Sequence, residues 1–214
     1  MRIVVLGSPG AGKGTYSGFL SERLGIPHIS TGDLLREIVK EESDLGKEVK
    51  GYMERGELVP DELVLKVLVD RISKDDCKKG FILDGFPRTL EQALKLSELL
   101  DIDLAINFNC DEETVLERLG GRITCRSCGK IYHLKNIRPK REGICDDCGG
   151  ELYQREDQKP EAIKKRLEIY REKSEPLIEF YRREGKLREV DANRPIERVE
   201  EVINDCLQHI KEVM

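Results

Sequence analysis

The stretch Gly7-Ser8-Pro9-Gly10-Ala11-Gly12-Lys13-Gly14-Thr15 decides the fold. It follows a short apolar run, Ile3–Leu6, and precedes a helical pattern. Glycine-rich backbone can close its N–H groups around an anion with no Cβ in the way. The helix behind the loop turns its positive end toward the same anion. Lys13 stands where a mobile point charge meets the outer phosphates of a nucleoside triphosphate. This is a Walker A core with one departure: Gly14 takes the usual Ser/Thr position and Thr15 comes next. Alone, the loop implies nucleotide binding and does not separate a kinase from a GTPase or a motor ATPase.

Four further runs have the same near-continuous apolar character: His28–Ile29, Phe81–Asp84, Leu104–Asn109 and Leu187–Val190. Such runs are expected of parallel strands covered on both faces. Helical patterns lie between them. Val64, Val67, Leu68 and Ile72 recur at helical spacing after the start signal Pro60-Asp61-Glu62. Ile196, Val199, Val202, Ile203, Leu207, Ile210 and Val213 form a stripe that opens at Pro195. The alternation predicts an α/β fold, a doubly wound parallel sheet of five strands. Two stretches break the rhythm. Ser30 to Val59 is helical without a sheet strand, and Gly121 to Gln158 is rich in Cys, Gly and Arg. The expected organisation is a core made of residues 1–29, 60–120 and 159–214, with insertions at 30–59 and 121–158.

Composition bounds what the chain can be. Its 214 residues suffice for one sizeable core with an insertion or two. Charged residues make up 37% but are mixed in sign, and the net charge is −5. That balance argues against a protein that coats nucleic acid, while a few Arg and Lys can still converge on a small phosphate ligand. No apolar stretch approaches a membrane span, so a cytoplasmic protein with no membrane partner is expected.

Four of the seven cysteines have metal spacing: Cys125-Arg126-Ser127-Cys128, then, after 16 residues, Cys145-Asp146-Asp147-Cys148. Two such pairs predict a structural metal centre, zinc or iron in its place, since four thiolates close a tetrahedron and leave no site for water. An insertion short of apolar residues gains from a metal what it lacks in packing. Cys77, Cys110 and Cys206 are scattered and are expected to be ordinary buried or half-buried thiols. His28 and His209 are expected to be structural, and His133 is not needed as a fifth ligand.

Three motifs in order carry a resemblance over essentially the whole chain. The phosphate loop, with its shifted Thr15, resembles that of adenylate kinases. Phe81-Ile82-Leu83-Asp84-Gly85-Phe86-Pro87-Arg88 resembles the signature of nucleoside monophosphate kinases. Ser30-Thr31-Gly32-Asp33-Leu34-Leu35-Arg36 resembles their monophosphate-binding entry. The residue chemistry agrees. Asp84 closes a buried strand, where a carboxylate can hold water ligands of Mg²⁺. Arg36 and Arg88 suit bidentate capture of a phosphate. Thr31 could cap the following helix.

What the resemblance implies is a long-lid adenylate kinase with a helical AMP-binding insertion at 30–59 and a zinc-ribbon lid at 121–158. It would interconvert ATP and AMP with two ADP, with Mg²⁺ accompanying ATP and Zn²⁺ structural in the lid, as a monomer. The ATP side would comprise Gly10, Ala11, Gly12, Lys13, Gly14, Thr15, Arg122, Ile131, Tyr132 and, through its backbone, Arg194. The AMP side would comprise Thr31, Arg36, Glu57, Leu58, Val59, Gly85, Phe86, Pro87, Arg88, Gln92, Arg155 and Arg166, with Gln92 reading the adenine edge. Lys13, Asp84, Arg88, Arg122, Arg155 and Arg166 would carry the transfer, and Asp157 would help closure. Two positions depart from the family pattern: Ile123 stands where a second Arg is frequent, and Gln158 where Asp is common.

Overall fold

Apolar residues run unbroken from Ile3 to Leu6 because strand β1 (Arg2–Leu6) is covered on both faces. The chain continues through α1 (Lys13–Leu24), β2 (His28–Ser30), α2 (Thr31–Lys40), α3 (Asp44–Glu54) and α4 (Asp61–Ile72). Then come β3 (Phe81–Asp84), α5 (Leu90–Leu99), β4 (Leu104–Asn109) and α6 (Glu112–Gly120). Three short strands follow: β5 (Arg122–Cys125), β6 (Ile131–His133) and β7 (Leu152–Tyr153). The chain ends with α7 (Pro160–Ile169), α8 (Pro176–Arg183), β8 (Leu187–Asp191) and α9 (Val199–Val213). This computed structural model describes residues 1–41 and 43–213; residue 42, inside the 30–59 stretch, and residue 214 lie outside the described residues.

The main sheet has the order β2-β3-β1-β4-β8, and every pairing is parallel. All five expected strands are there, and three run a residue further than expected, at Arg2, Ser30 and Asp191. Alternate residues of the strands feed two cores. Val4, Leu6, Ile29, Leu83 and Ala105 pack with Leu35, Val49, Leu68, Leu96 and Tyr181 from α2, α3, α4, α5 and α8. Ile3, Val5, Ile82, Leu104 and Ile106 pack with Tyr16, Leu20, Val202, Ile203 and Ile210 from α1 and α9. In the C-terminal stripe, Val213 is exposed rather than buried. The register sets Asp84 beside Val5 on one side and Ser30 on the other. The carboxyl ends of β1, β2 and β3 therefore meet at one edge, where open α/β sheets bind their ligands.

The 30–59 stretch forms α2 and α3, as its pattern predicts. The cap of α2 is Ser30, whose side chain accepts from Asp33 N, so Thr31 is not the capping residue and lies inside the helix. The 121–158 stretch contains an antiparallel sheet of order β6-β5-β7. Its small core is Cys125, Tyr132, Cys145 and Leu152, with Ile123 and Ile137 beside them. Among the described residues, no helix is long and apolar enough to cross a membrane. Cys77 and Cys206 are buried and Cys110 is half-buried.

Candidate active site

Helix α1 begins without a side-chain cap and with no acidic residue in its first turn. By contrast α2, α3, α5 and α6 are capped by Ser30, Ser43, Thr89 and Asp111. The free N–H groups of α1 face a cleft and are suited to an anion. Gly12 makes this turn possible. Its φ is +93°, and a Cβ there would lie 2.7 Å from the Tyr16 ring. Lys13 is half-buried, and its ammonium donates to Gly7 O at 2.7 Å and Ser8 O at 2.9 Å. Burial pushes its pKa down to about 8; Asp84 opposes that, while Arg88, Arg166 and Arg122 add to it.

Asp84 is half-buried too. Burial favours its neutral form, but the hydrogen bond from His28, then Lys13 and Arg88, outweigh it and hold the carboxyl below its usual range. Next to it Arg88 donates from Nε to Gly85 O at 2.7 Å. The carbonyl of Arg88 accepts from Ser174 Oγ at 2.8 Å, which fixes the segment to the π turn (Tyr170–Ser174) between α7 and α8. Gly85 has φ +82°, and a Cβ would come within 3.0 Å of the Arg88 guanidinium.

Arg122, Arg155 and Arg166 converge on the same place from β5, from the segment after β7 and from α7. Burial drives the Arg122 guanidinium well below its ordinary value, with Arg155 and Arg166 adding repulsion; Arg166 is pushed down to about 10. Their carboxylate partner is Asp157, which accepts from Arg155 and, at 3.1 Å, from Arg166 Nη1. Burial works against the Asp157 anion, yet Arg166 and Arg155 hold its pKa down to about 2. Half-buried cations in such excess over carboxylates favour a polyanion as ligand, since an opposite charge relieves their mutual repulsion.

Two cavities meet here. One, of about 440 Å³, is lined by Gly10, Gly12, Lys13, Gly14, Thr15, Asp84, Arg122, Ile131 and Tyr132. The other, of about 70 Å³, is lined by Thr31, Glu57, Val59 and Gln92. Gly32, Arg36, Gly56, Leu58, Gly85, Arg88, Arg155 and Arg166 line both.

The family model for adenylate kinase matches residues 5–186. The chain belongs to the adenylate kinase family. It is 54% identical over 192 residues to an adenylate kinase of Caldicellulosiruptor saccharolyticus, covering 87% of this chain and 89% of that one. It is 50% identical over 216 residues to one of Archaeoglobus fulgidus, covering 99% and 100%. With one of Staphylococcus epidermidis the identity is 48% over 215 residues, covering 98% and 100%. As a member of this family the chain is a nucleoside monophosphate kinase, an enzyme that transfers phosphoryl groups between adenine nucleotides.

The residues expected on the two sides of an adenylate kinase site divide as follows. Of the expected AMP set, Phe86 and Pro87 stand apart. Phe86 is turned into the main core, and Pro87 lines the larger cavity. Of the expected ATP set, Ala11 is buried beneath the loop. Arg194 lines neither cavity: its guanidinium pairs with Asp205 at 2.8 Å and its carbonyl accepts from Arg118 Nη2 at 3.0 Å. Thr31 donates to Asp84 O at 3.3 Å, and Arg36 pairs with Asp33. Gln92, 2% exposed, accepts from Arg88 N at 2.7 Å and donates to Asp61 Oδ1 at 2.6 Å. These bonds leave its amide one lone pair and one N–H, the pair an adenine edge needs.

Four residues at the site were not singled out for it by sequence reading. His28 approaches Asp84 Oδ2 at 3.4 Å instead of playing a remote structural part. Asp61 orients Gln92. Arg118 lines the larger cavity and donates to Ala11 O at 3.4 Å and Arg194 O at 3.0 Å. Its only signal was a second Arg four residues before Arg122. Gln158, the family departure, is buried on Arg122: with its amide oxygen toward the guanidinium it accepts from Nη2 at 2.9 Å and donates to Arg122 O at 2.8 Å.

The four-cysteine cluster lies beside the larger cavity, which Cys125 and Cys128 also line. The four sulfurs lie within 4.8 Å of one another, with Cys125–Cys148 at 3.4 Å and Cys128–Cys145 at 3.6 Å. A Zn²⁺ held tetrahedrally at thiolate distance needs S–S separations of roughly 3.8 Å, so the donor set fits. His133 is not in the set. Its Nδ1 accepts from Lys135 N and Asn136 N, and Nε2 donates to Glu117 O at 3.2 Å, tying β6 to α6.

Proposed function

We propose that the chain transfers the γ-phosphoryl of ATP to the α-phosphate of AMP and runs the reverse reaction from two ADP, with ATP in the larger cavity and AMP in the smaller one. One observation carries this reading: Arg36, Arg88, Arg155 and Arg166 line both cavities. Residues shared by a donor pocket and an acceptor pocket mark where the two phosphate chains meet. In-line transfer asks for little beyond position and charge there.

The roles divide by place. The N–H groups from Gly10 to Thr15 hold the donor's phosphates. Lys13 exchanges its carbonyl partners for the outer phosphates. Arg36 and Arg88 take the acceptor phosphate, and Arg122, Arg155 and Arg166 spread the charge of the transferring group. Thr31, Gln92 and the backbone of Glu57–Val59 hold the adenine of AMP; Ile131 and the backbone of Tyr132 and Arg194 hold that of ATP. Asp84 and Thr15, oxygen donors beside the loop, are placed for the Mg²⁺ that accompanies ATP, which would neutralise phosphate charge. Cys125, Cys128, Cys145 and Cys148 would hold a structural Zn²⁺. We infer the same division in the chain: core at 1–29, 60–120 and 159–214, AMP-binding insertion at 30–59, lid at 121–158. The lid excludes water that would otherwise take the phosphoryl group.

The test is a coupled assay for ADP formed from ATP plus AMP. Wild type should turn over, and Lys13→Ala should not. Wild type no better than the variant, or phosphate release without AMP, would overturn the reading. UMP, CMP and GMP in place of AMP should be poor acceptors, and faster turnover of any of them would reassign the acceptor.

A further inference from the structure

The side chain of Tyr132 is not where a nucleotide contact would be. It is 1% exposed and is packed inside the small core of the β5–β7 sheet. Its hydroxyl lies between two partners. The backbone N–H of Asp146 donates to Tyr132 Oη at 2.7 Å, and Oη lies 3.5 Å from Cys145 Sγ. The first bond uses the oxygen as acceptor, so the hydroxyl proton is free for the second. A metal-ligating cysteine is a thiolate with no proton of its own. The direction is therefore fixed: Tyr132 donates and the Cys145 sulfur accepts.

The four sulfurs are not equivalent in this respect. Backbone N–H groups of each knuckle approach them, Ser127 and Cys128 toward Cys125, and Asp147 and Cys148 toward Cys145. Among the described residues, Cys145 alone of the four also has a side-chain oxygen within hydrogen-bond distance. It is 2% exposed, so water does not substitute for that donor. A hydrogen bond to a buried thiolate disperses its charge and fixes its direction, the part that residues around a metal centre commonly play.

From this geometry we propose that Tyr132 is an outer-sphere member of the four-cysteine metal centre, a positioning residue that holds the Cys145 thiolate through its hydroxyl. The inference rests on the zinc reading of the cluster. It replaces a ligand-contacting part for the Tyr132 side chain and leaves its backbone beside the cleft.

The experiment measures metal content, metal affinity by chelator competition, and the absorption of the cobalt-substituted protein, for wild type and Tyr132→Phe. Phe keeps the ring and removes the donor. Wild type should hold one zinc per chain. The variant should bind zinc about tenfold to a hundredfold more weakly. Its thiolate-to-cobalt charge-transfer band should move to lower energy, because a sulfur without the hydrogen bond is a better electron donor. Leu152→Ala, which loosens the same core without touching the hydroxyl, should leave that band in place. Unchanged affinity in Tyr132→Phe, or weaker affinity with an unmoved band, would overturn the proposal. Wild type purified and reconstituted without binding zinc would instead overturn the metal reading beneath it.

Discussion

Lys13 illustrates how much a single residue reveals about the ligand. Its ammonium is held on two carbonyls, and loss of water around it brings its pKa down to about 8. A polyphosphate raises that value again, because an opposite charge favours the charged form. Binding of a non-hydrolysable ATP analogue at pH 8 should therefore take up protons, on the order of half a proton per chain. Calorimetry in buffers of different ionisation enthalpy reads this directly. Lys13→Met should abolish the uptake, and a wild-type heat that does not vary with buffer would contradict it. Asp157 gives the opposite sign. Arg166 and Arg155 hold its pKa down to about 2, below the ordinary aspartate value of 3.8. Its contribution is complete above about pH 4 and is lost as pH falls through 2. Asp157→Asn should cost about 2 kcal/mol in urea unfolding at pH 7, with the difference closing on acidification. Lys13, Asp84 and the arginines were legible in the sequence because each sits inside a motif. His28 and Asp61 were not. Their partners, Asp84 and Gln92, lie on other elements, and hydrophobic pattern alone does not give the β2–β3 register that sets His28 beside Ile82 and Ser30 beside Asp84.

At the scale of elements, the five strands of the main sheet were legible because both faces of each are buried, which leaves a continuous apolar signature. Strands β5 to β7 carry no such signature. They are two to four residues long, and only a handful of apolar side chains back them. Their cysteines announced a metal centre but not the sheet built around it. That difference makes a prediction about where stability resides. If a metal substitutes for packing, removing it should release this sheet and spare the other. The amides of Cys125, Arg126 and Cys145 donate to Lys130 O, Glu151 O and Gly150 O at 2.8 to 2.9 Å. After chelation their hydrogen exchange should accelerate by at least tenfold, whereas the amides of Val4 and Leu83 in the main sheet stay protected. Equal acceleration in both sheets would mean that the metal supports the whole chain.

At the scale of the molecule, the site is made by elements distant in sequence. The start of α1, the segment after β3, the start of β5 and the middle of α7 bring Lys13, Arg88, Arg122 and Arg166 to one cavity, and all four are half-buried there. Such a cluster repels itself while empty, so the two substrates should assist each other in binding. A single ligand that joins two adenosines through a chain of phosphates should exploit this most fully, since it fills both cavities and loses its translational freedom once. Such a compound should raise the melting temperature more than ATP and AMP together at the same concentrations, as binding to the folded state alone requires. Arg88→Lys tests whether the shared boundary is responsible. Lys keeps the charge but loses the bidentate fork. The variant should keep its melting temperature without ligand, lose on the order of 10²–10³ in kcat, and lose most of the extra stabilisation by the joined ligand. If the joined ligand stabilised the variant as well as it does wild type, the phosphates would meet elsewhere, and Arg88 would serve only the acceptor pocket.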